Sequence, residues 1–166
     1  MNTSAEAHMA GLVSELAELL LARKTQLATA ESCTGGWLAK CLTDQPGSSA
    51  WFEYGFVTYG NNAKLSLLGV RPATLEAHGA VSQDVAEQMA SGARAASGAG
   101  IAVAITGIAG PAGGSADKAV GTVWLAWAGP GSLLGAELRN FPGDRTAIRS
   151  QAVAAALDGT LARLRR

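Results

Sequence analysis

The chain has 166 residues, enough for one domain with a single sizeable core and too few for two ordinary ones. Hydrophobic residues make up 48% and charged residues 16%, which excludes a disordered chain, and 21 glycines point to many close backbone approaches. A formal net charge of zero, with only Arg163, Arg165 and Arg166 locally basic at the end, gives no broad electrostatic footprint for nucleic acid.

In chain order, residues Glu6 to Arg23 space Leu12, Leu16, Leu19 and Leu20 at helical intervals and turn Glu15 and Glu18 to water, predicting an amphipathic first helix. Gln26 to Ala30 reads as a short strand, and Gly35 to Leu42 as a second helix stopped by the turn cluster DQPGSS. The aromatic run from Trp51 to Tyr59 predicts a strand, with Gly55 as a bulge. Three helices follow. Asn61 to Leu68 is closed by Gly69, Pro72 to Ala77 precedes His78 and Gly79, and Ser82 caps a helix that stops near Gly98. Ile101 to Ile105 is a small apolar run of the kind covered on both faces, and Val120 to Ala128 and Leu133 to Phe141 form a hairpin over GPGS. Asp144 to Leu164 closes the chain as a helix entered through PGD. Strands flanked by helices on both sides predict an α/β fold, a three-layer α/β/α sandwich around a mixed sheet in a single domain.

No run of 18 apolar residues exists, and Glu6 and His8 stand where a signal peptide would carry positive charge, so the expectation is a soluble cytoplasmic protein without a membrane partner. Cys33 and Cys41 are placed on one predicted helix, roughly 12 Å of rise apart, too far to bridge within a subunit. With only His8 and His78 besides, no metal-ligand spacing is present, and neither a metal nor a cofactor is expected.

Four polar loops interrupt the apolar scaffold at element ends: ESCTGG, PGSS with the later YGNNAK, TGIAGPAGGS, and PGDR. Such ends line the ligand crevice of open α/β sheets, and glycines let amides approach an anion. None is a nucleotide fingerprint. Gly113 and Gly114 are followed by Ser115, Ala116, Asp117 and Lys118 where a phosphate-binding loop needs Lys and Ser or Thr, and TGIAGPAGG lacks the dinucleotide spacing.

Taken singly, these residues have two readings each. Within TAESCTGGWLAK, Glu31 offers a base, Ser32 is a helix N-cap or a nucleophile, and Cys33 is a packing residue or a thiol lowered by a helix start. Ser48 and Ser49 are turn residues or a nucleophile site. Lys64 is a solvated lysine or, desolvated by Leu65, Leu67 and Leu68, a base able to take a proton from serine. Arg145 is a phosphate ligand or a surface ion-pair partner.

Over nearly the whole chain the sequence resembles the CinA C-terminal domain, or PncC, family of nicotinamide-nucleotide amidases. The resemblance rests on TAESCTGGWLAK, PGSSAWFEYGFVTYGNNAKLSLLGV, HGAVSQDVAEQMA, ITGIAGPAGGSADKAVGTVW and FPGDR, in the family's order. It implies an α/β/α domain that often dimerises and hydrolyses the carboxamide of nicotinamide mononucleotide to nicotinic acid mononucleotide and ammonia. A non-catalytic nucleotide- or partner-binding domain of the competence/damage-inducible CinA type is the alternative. The matching positions imply Ser49 as nucleophile and Lys64 as its base, with Tyr59 nearby and Ser32 the rival nucleophile. They also imply Thr106, Gly107 and the amides of Gly35 and Gly36 as oxyanion or phosphate donors, and Arg145 as the basic residue of the GDR motif. The amidase-like domain is expected over residues 1–166 with its core at about 6–164, without the molybdopterin-binding-like N-terminal domain that many members carry.

Overall fold

The computed structural model describes residues 3–166. Six helices surround one five-stranded sheet: α1 (Thr3–Ala22), β1 (Leu27–Glu31), α2 (Trp37–Thr43), β2 (Phe52–Val57), α3 (Asn61–Leu68), α4 (Pro72–His78), α5 (Gln83–Ser97), β3 (Ile101–Gly107), β4 (Thr122–Ala128), β5 (Leu134–Asn140) and α6 (Arg145–Leu164). The strand order is β2-β1-β3-β4-β5. The first three are mutually parallel, and β4 runs antiparallel to both β3 and β5, so the sheet is mixed as expected.

The two faces of the sheet differ in side-chain size, and the difference is written in period two along each inner strand. Leu27, Ile101, Val103, Ile105, Val123, Leu125 and Trp127 point to one side and join α1, α2 and α6 in the larger core. Ala28, Ala30, Ala102, Ala104, Ala126 and Ala128 point to the other, where α5 lays Val85, Ala86, Met89, Ala90 and Ala93 against them. Small residues on both sides let α5 lie close, and it carries α3 and α4 on its flank. Gly92 fixes that contact, because a Cβ there would overlap the backbone carbonyl of Leu68 at the end of α3.

Helix ends follow the local chemistry. Ser82 accepts a hydrogen bond from the amide of Val85 and Asp144 one from Ala147, capping α5 and α6. Gly69 and Gly98 close α3 and α5 in the left-handed conformation. The bulge expected at Gly55 falls just ahead of it, where the register passes from Leu27 opposite Phe52 to Thr29 opposite Gly55. Cys33 is not on α2, which starts only at Trp37; it belongs to the turn before it, and both cysteines are free. Among the described residues no helix is long and apolar enough to cross a membrane.

After β1 the chain crosses through α2 on the larger-core face, and after β2 it crosses through α3, α4 and α5 on the alanine face. With the order β2-β1-β3, the carboxyl ends of β1 and β3 border a switch point, the place where open α/β sheets form a crevice, and β2 ends beside it.

Candidate active site

Ser32 follows the last residue of β1, and its amide donates to the carbonyl of Ile105 on the neighbouring strand at 2.9 Å, which extends the sheet by one residue. Lys64 lies in the first turn of α3, just past β2, and is only 1% exposed. Its side chain runs back to the strand ends, where Nζ sits 3.0 Å from Ser32 Oγ, 2.8 Å from the Thr58 carbonyl and 3.1 Å from the Tyr59 carbonyl. Among the described residues no carboxylate pairs with it. Burial without a counter-charge disfavours the ammonium and pushes its pKa down from the ordinary 10.5. A neutral amine has two N–H bonds, which match the two carbonyls, and one lone pair, which is left for the hydroxyl of Ser32.

The turn from Ser32 to Gly36 is shaped by the residue before it. Glu31 is fully buried, and its carboxylate accepts hydrogen bonds from the amides of Gly36, Leu38 and Ala39 at 3.1, 3.0 and 2.8 Å. A carboxylate on the first turn of α2 satisfies amides that a helix leaves unpaired and suits the helix dipole. Glu31 thus does the capping that the sequence suggested for Ser32, whose hydroxyl is free to face Lys64. Gly35 and Gly36 have φ of 61° and 94°, left-handed values that favour glycine, and these bring the chain round into α2.

That geometry corrects the expectation for two donors. The Gly35 amide is held by the Ser32 carbonyl at 3.0 Å and the Gly36 amide by Glu31, so neither is open to an oxyanion or a phosphate. Thr106 donates its hydroxyl to the Ala80 carbonyl at 2.8 Å, and Gly107 is pressed so closely against Val123 and Thr122 that a Cβ would not fit.

Ser49 is elsewhere. It lies exposed in a short 3-10 turn (Ser48–Ala50) that precedes β2, whereas Lys64 gathers at the opposite end of that six-residue strand. At 3.3 Å per residue the separation is about 20 Å. Within one chain the pairing of Ser49 with Lys64 implied by the motif is not formed, because the two residues flank β2 at its two ends.

Arg145, the first residue of α6, donates to the Gly110 carbonyl at 2.7 Å and to the Tyr59 hydroxyl at 3.0 Å, tying three loops together at the rim. Among the described residues it makes no ion pair, unlike the surface partner its position suggested. Tyr59 is 59% exposed, so its ring borders the opening while its carbonyl holds Lys64. Cys33 is buried, and burial raises its thiol to about 11.

Arg149, one turn further along α6, was not singled out by motif. Its Nε and one terminal nitrogen donate to the carbonyls of Cys33 and Thr34 at 3.1 and 2.7 Å. Its spacing of four from Arg145 is the signal in sequence, since both then project from neighbouring turns of one helix face. A cleft of about 820 Å³ between α1, α2 and α6 is lined by Trp37, Cys41 and Arg149 but by neither Ser32 nor Lys64. The reactive geometry, not the volume, marks the site. Among the described residues no three His, Cys, Asp or Glu side chains gather as metal ligands would.

Residues 9–164 match the model of the CinA C-terminal domain. The chain is 57% identical over 150 residues to nicotinamide-nucleotide amidohydrolase PncC of Pseudomonas putida, an alignment spanning 90% of this chain and 93% of the relative. It is 54% identical over 146 residues to the protein of the same name from Escherichia coli K12, covering 88% of each. Among solved structures it resembles competence/damage inducible protein CihA from Agrobacterium tumefaciens, with a TM-score of 0.92, 43% identity and 96% of both chains covered. The competence damage-inducible protein A from Klebsiella pneumoniae superposes with a TM-score of 0.91 at 40% identity, over 95% of this chain and 98% of that one.

Proposed function

The chain belongs to the CinA C-terminal domain family, and on that premise we propose that it is an amidohydrolase. Its substrate is nicotinamide mononucleotide, its products are nicotinic acid mononucleotide and ammonia, and Ser32 and Lys64 carry the reaction in pyridine-nucleotide salvage. The observation that carries the chemical part is the contact of 3.0 Å between Lys64 Nζ and Ser32 Oγ inside a cradle of neutral carbonyls. The reading of the substrate is supported by relatives named nicotinamide-nucleotide amidohydrolase at more than half identity.

The steps balance with these groups and water. The lone pair of Lys64 takes the Ser32 proton as Oγ adds to the carboxamide carbon. The resulting ammonium, facing two carbonyls and no carboxylate, gives its proton to the departing nitrogen, and ammonia leaves an ester on Ser32. Water then adds to that ester, passes a proton through Lys64 back to Ser32 Oγ, and frees the carboxylate. The pyridinium ring withdraws electrons from the carboxamide and makes the first addition easier. Arg145, which among the described residues engages neutral oxygens and no carboxylate, is the partner for the phosphate, whose binding holds the reacting carbonyl in place. Ammonia release from nicotinamide mononucleotide tests the reading: wild type turns over and Lys64→Ala does not, and equal, negligible release by both sinks it.

A further inference from the structure

We propose that Arg149 is a positioning residue for this reaction: by clamping the carbonyls of Cys33 and Thr34 it turns the amide of Thr34 toward the reacting carbon as the oxyanion donor. The inference rests on Ser32 being the nucleophile. Amide addition generates a negative oxygen beside the nucleophile, and a donor fixed in advance is the largest electrostatic aid such a site can give.

The turn after Ser32 holds four amides, and two are already occupied, Gly35 by the Ser32 carbonyl and Gly36 by Glu31. That of Thr34 has no acceptor among the described residues, while that of Cys33 lies against its own thiol. A trans peptide plane sends its N–H opposite to its C=O. The peptide joining Cys33 to Thr34 has its carbonyl on Arg149 Nε at 3.1 Å, so the Thr34 N–H points away from α6. The next peptide displays the same opposition: the Thr34 carbonyl is on Arg149 at 2.7 Å, and the Gly35 N–H turns the other way, to Ser32. Arg149 approaches from α6, on the larger-core face, whereas Lys64 arrives on α3 from the alanine face. An amide directed away from α6 is therefore directed to the side on which Lys64 meets Ser32.

Arg149 is built for this task rather than for an ion pair. Among the described residues no carboxylate pairs with it, its planar fork reaches two successive carbonyls, and its guanidinium lies 5.3 Å from the centroid of the Trp37 ring. A cation bound to the carbonyl end of a peptide also polarises the N–H at its other end.

The test measures steady-state ammonia release by wild type, Arg149→Ala and Arg149→Lys, with thermal melts of each. Loss of one oriented donor is expected to lower kcat about 100-fold in Arg149→Ala with KM within about threefold of wild type, and free guanidinium at millimolar concentration is expected to restore part of it. Arg149→Lys keeps the charge but cannot hold two carbonyls at once, so a loss of about tenfold in kcat is expected, and this variant decides the matter if Arg149→Ala fails to fold. Wild-type kcat in either folded variant overturns the inference, as does a change confined to KM, or an Arg149→Ala protein that folds but ignores guanidinium. An inactive wild type would instead overturn the amidase reading, which keeps the two failures apart.

Discussion

Lys64 Nζ and Ser32 Oγ lie 3.0 Å apart although 32 residues separate them in the chain. The parallel pairing of β1 with β2 brings this about, because residues that follow two parallel strands arrive at the same edge of the sheet. The amine is dry, has neutral oxygens on two sides, and presents its remaining direction to the hydroxyl.

Burial lowers the Lys64 pKa, and this has a signed consequence for stability. In the window between the depressed folded value and the ordinary 10.5, the unfolded chain binds more protons, so stability contributed at this site rises with pH and is lowest below the folded value. Cys33 and Cys41, raised from 9.0 to about 11, act in the opposite direction between those values. Comparing wild type with Lys64→Met cancels the cysteines. Denaturant titrations across pH should show wild type gaining on the variant as pH rises toward 10.5, and a difference that stays flat would refute the desolvated amine.

A thiol at about 11 is almost wholly protonated at neutral pH and a poor nucleophile. Wild-type enzyme incubated with iodoacetamide at about pH 7.5 is expected to keep its activity over an hour. Rapid inactivation, with the label mapped to Cys33, would return the chemistry to the cysteine.

Glu31 supports the turn rather than reacting. Glu31→Gln replaces one acceptor oxygen by a donor that faces amides already donating, and breaking this buried, charge-assisted cap should cost about 3 kcal/mol. For a chain of this length that corresponds to a melting temperature lower by about 6–12 °C. An unchanged melt would show that the cap contributes little.

Gly92 couples packing to the site through α3. Gly92→Ala forces a methyl group into the Leu68 carbonyl, an overpacking expected to cost about 1–3 kcal/mol. Because α3 carries Lys64, ammonia release should fall along with the melting temperature. A variant that loses stability but retains full turnover would separate the seating of α3 from the placing of the amine.

Much of this was legible in the sequence. The continuous small apolar run from Ile101 to Ile105 announced a strand covered on both faces, whereas the sequence left Lys64 open between a solvated lysine and the buried one that is found. The partner of Lys64 was harder to read, since PGSS and ESCTGG both place a serine near glycines. The deciding signal is positional. Ser32 follows its strand as Lys64 follows its own, whereas Ser49 precedes β2, and parallel pairing turns that into opposite ends of the sheet. Glu31 looked like a base because nothing local says that a strand-end carboxylate will fold back onto amides five to eight residues later. The role of Arg149 depends on α6 packing across the turn, a contact between segments more than a hundred residues apart.

The assignment of bond-breaking to Ser32 is tested most directly by ammonia release from nicotinamide mononucleotide in Ser32→Ala and Ser49→Ala, assayed side by side at saturating substrate. Loss of the nucleophile should lower kcat by about 1,000-fold or more in Ser32→Ala, while Ser49→Ala stays within about twofold of wild type because its hydroxyl lies about 20 Å from the amine. An inactive Ser49→Ala beside an active Ser32→Ala would contradict the account.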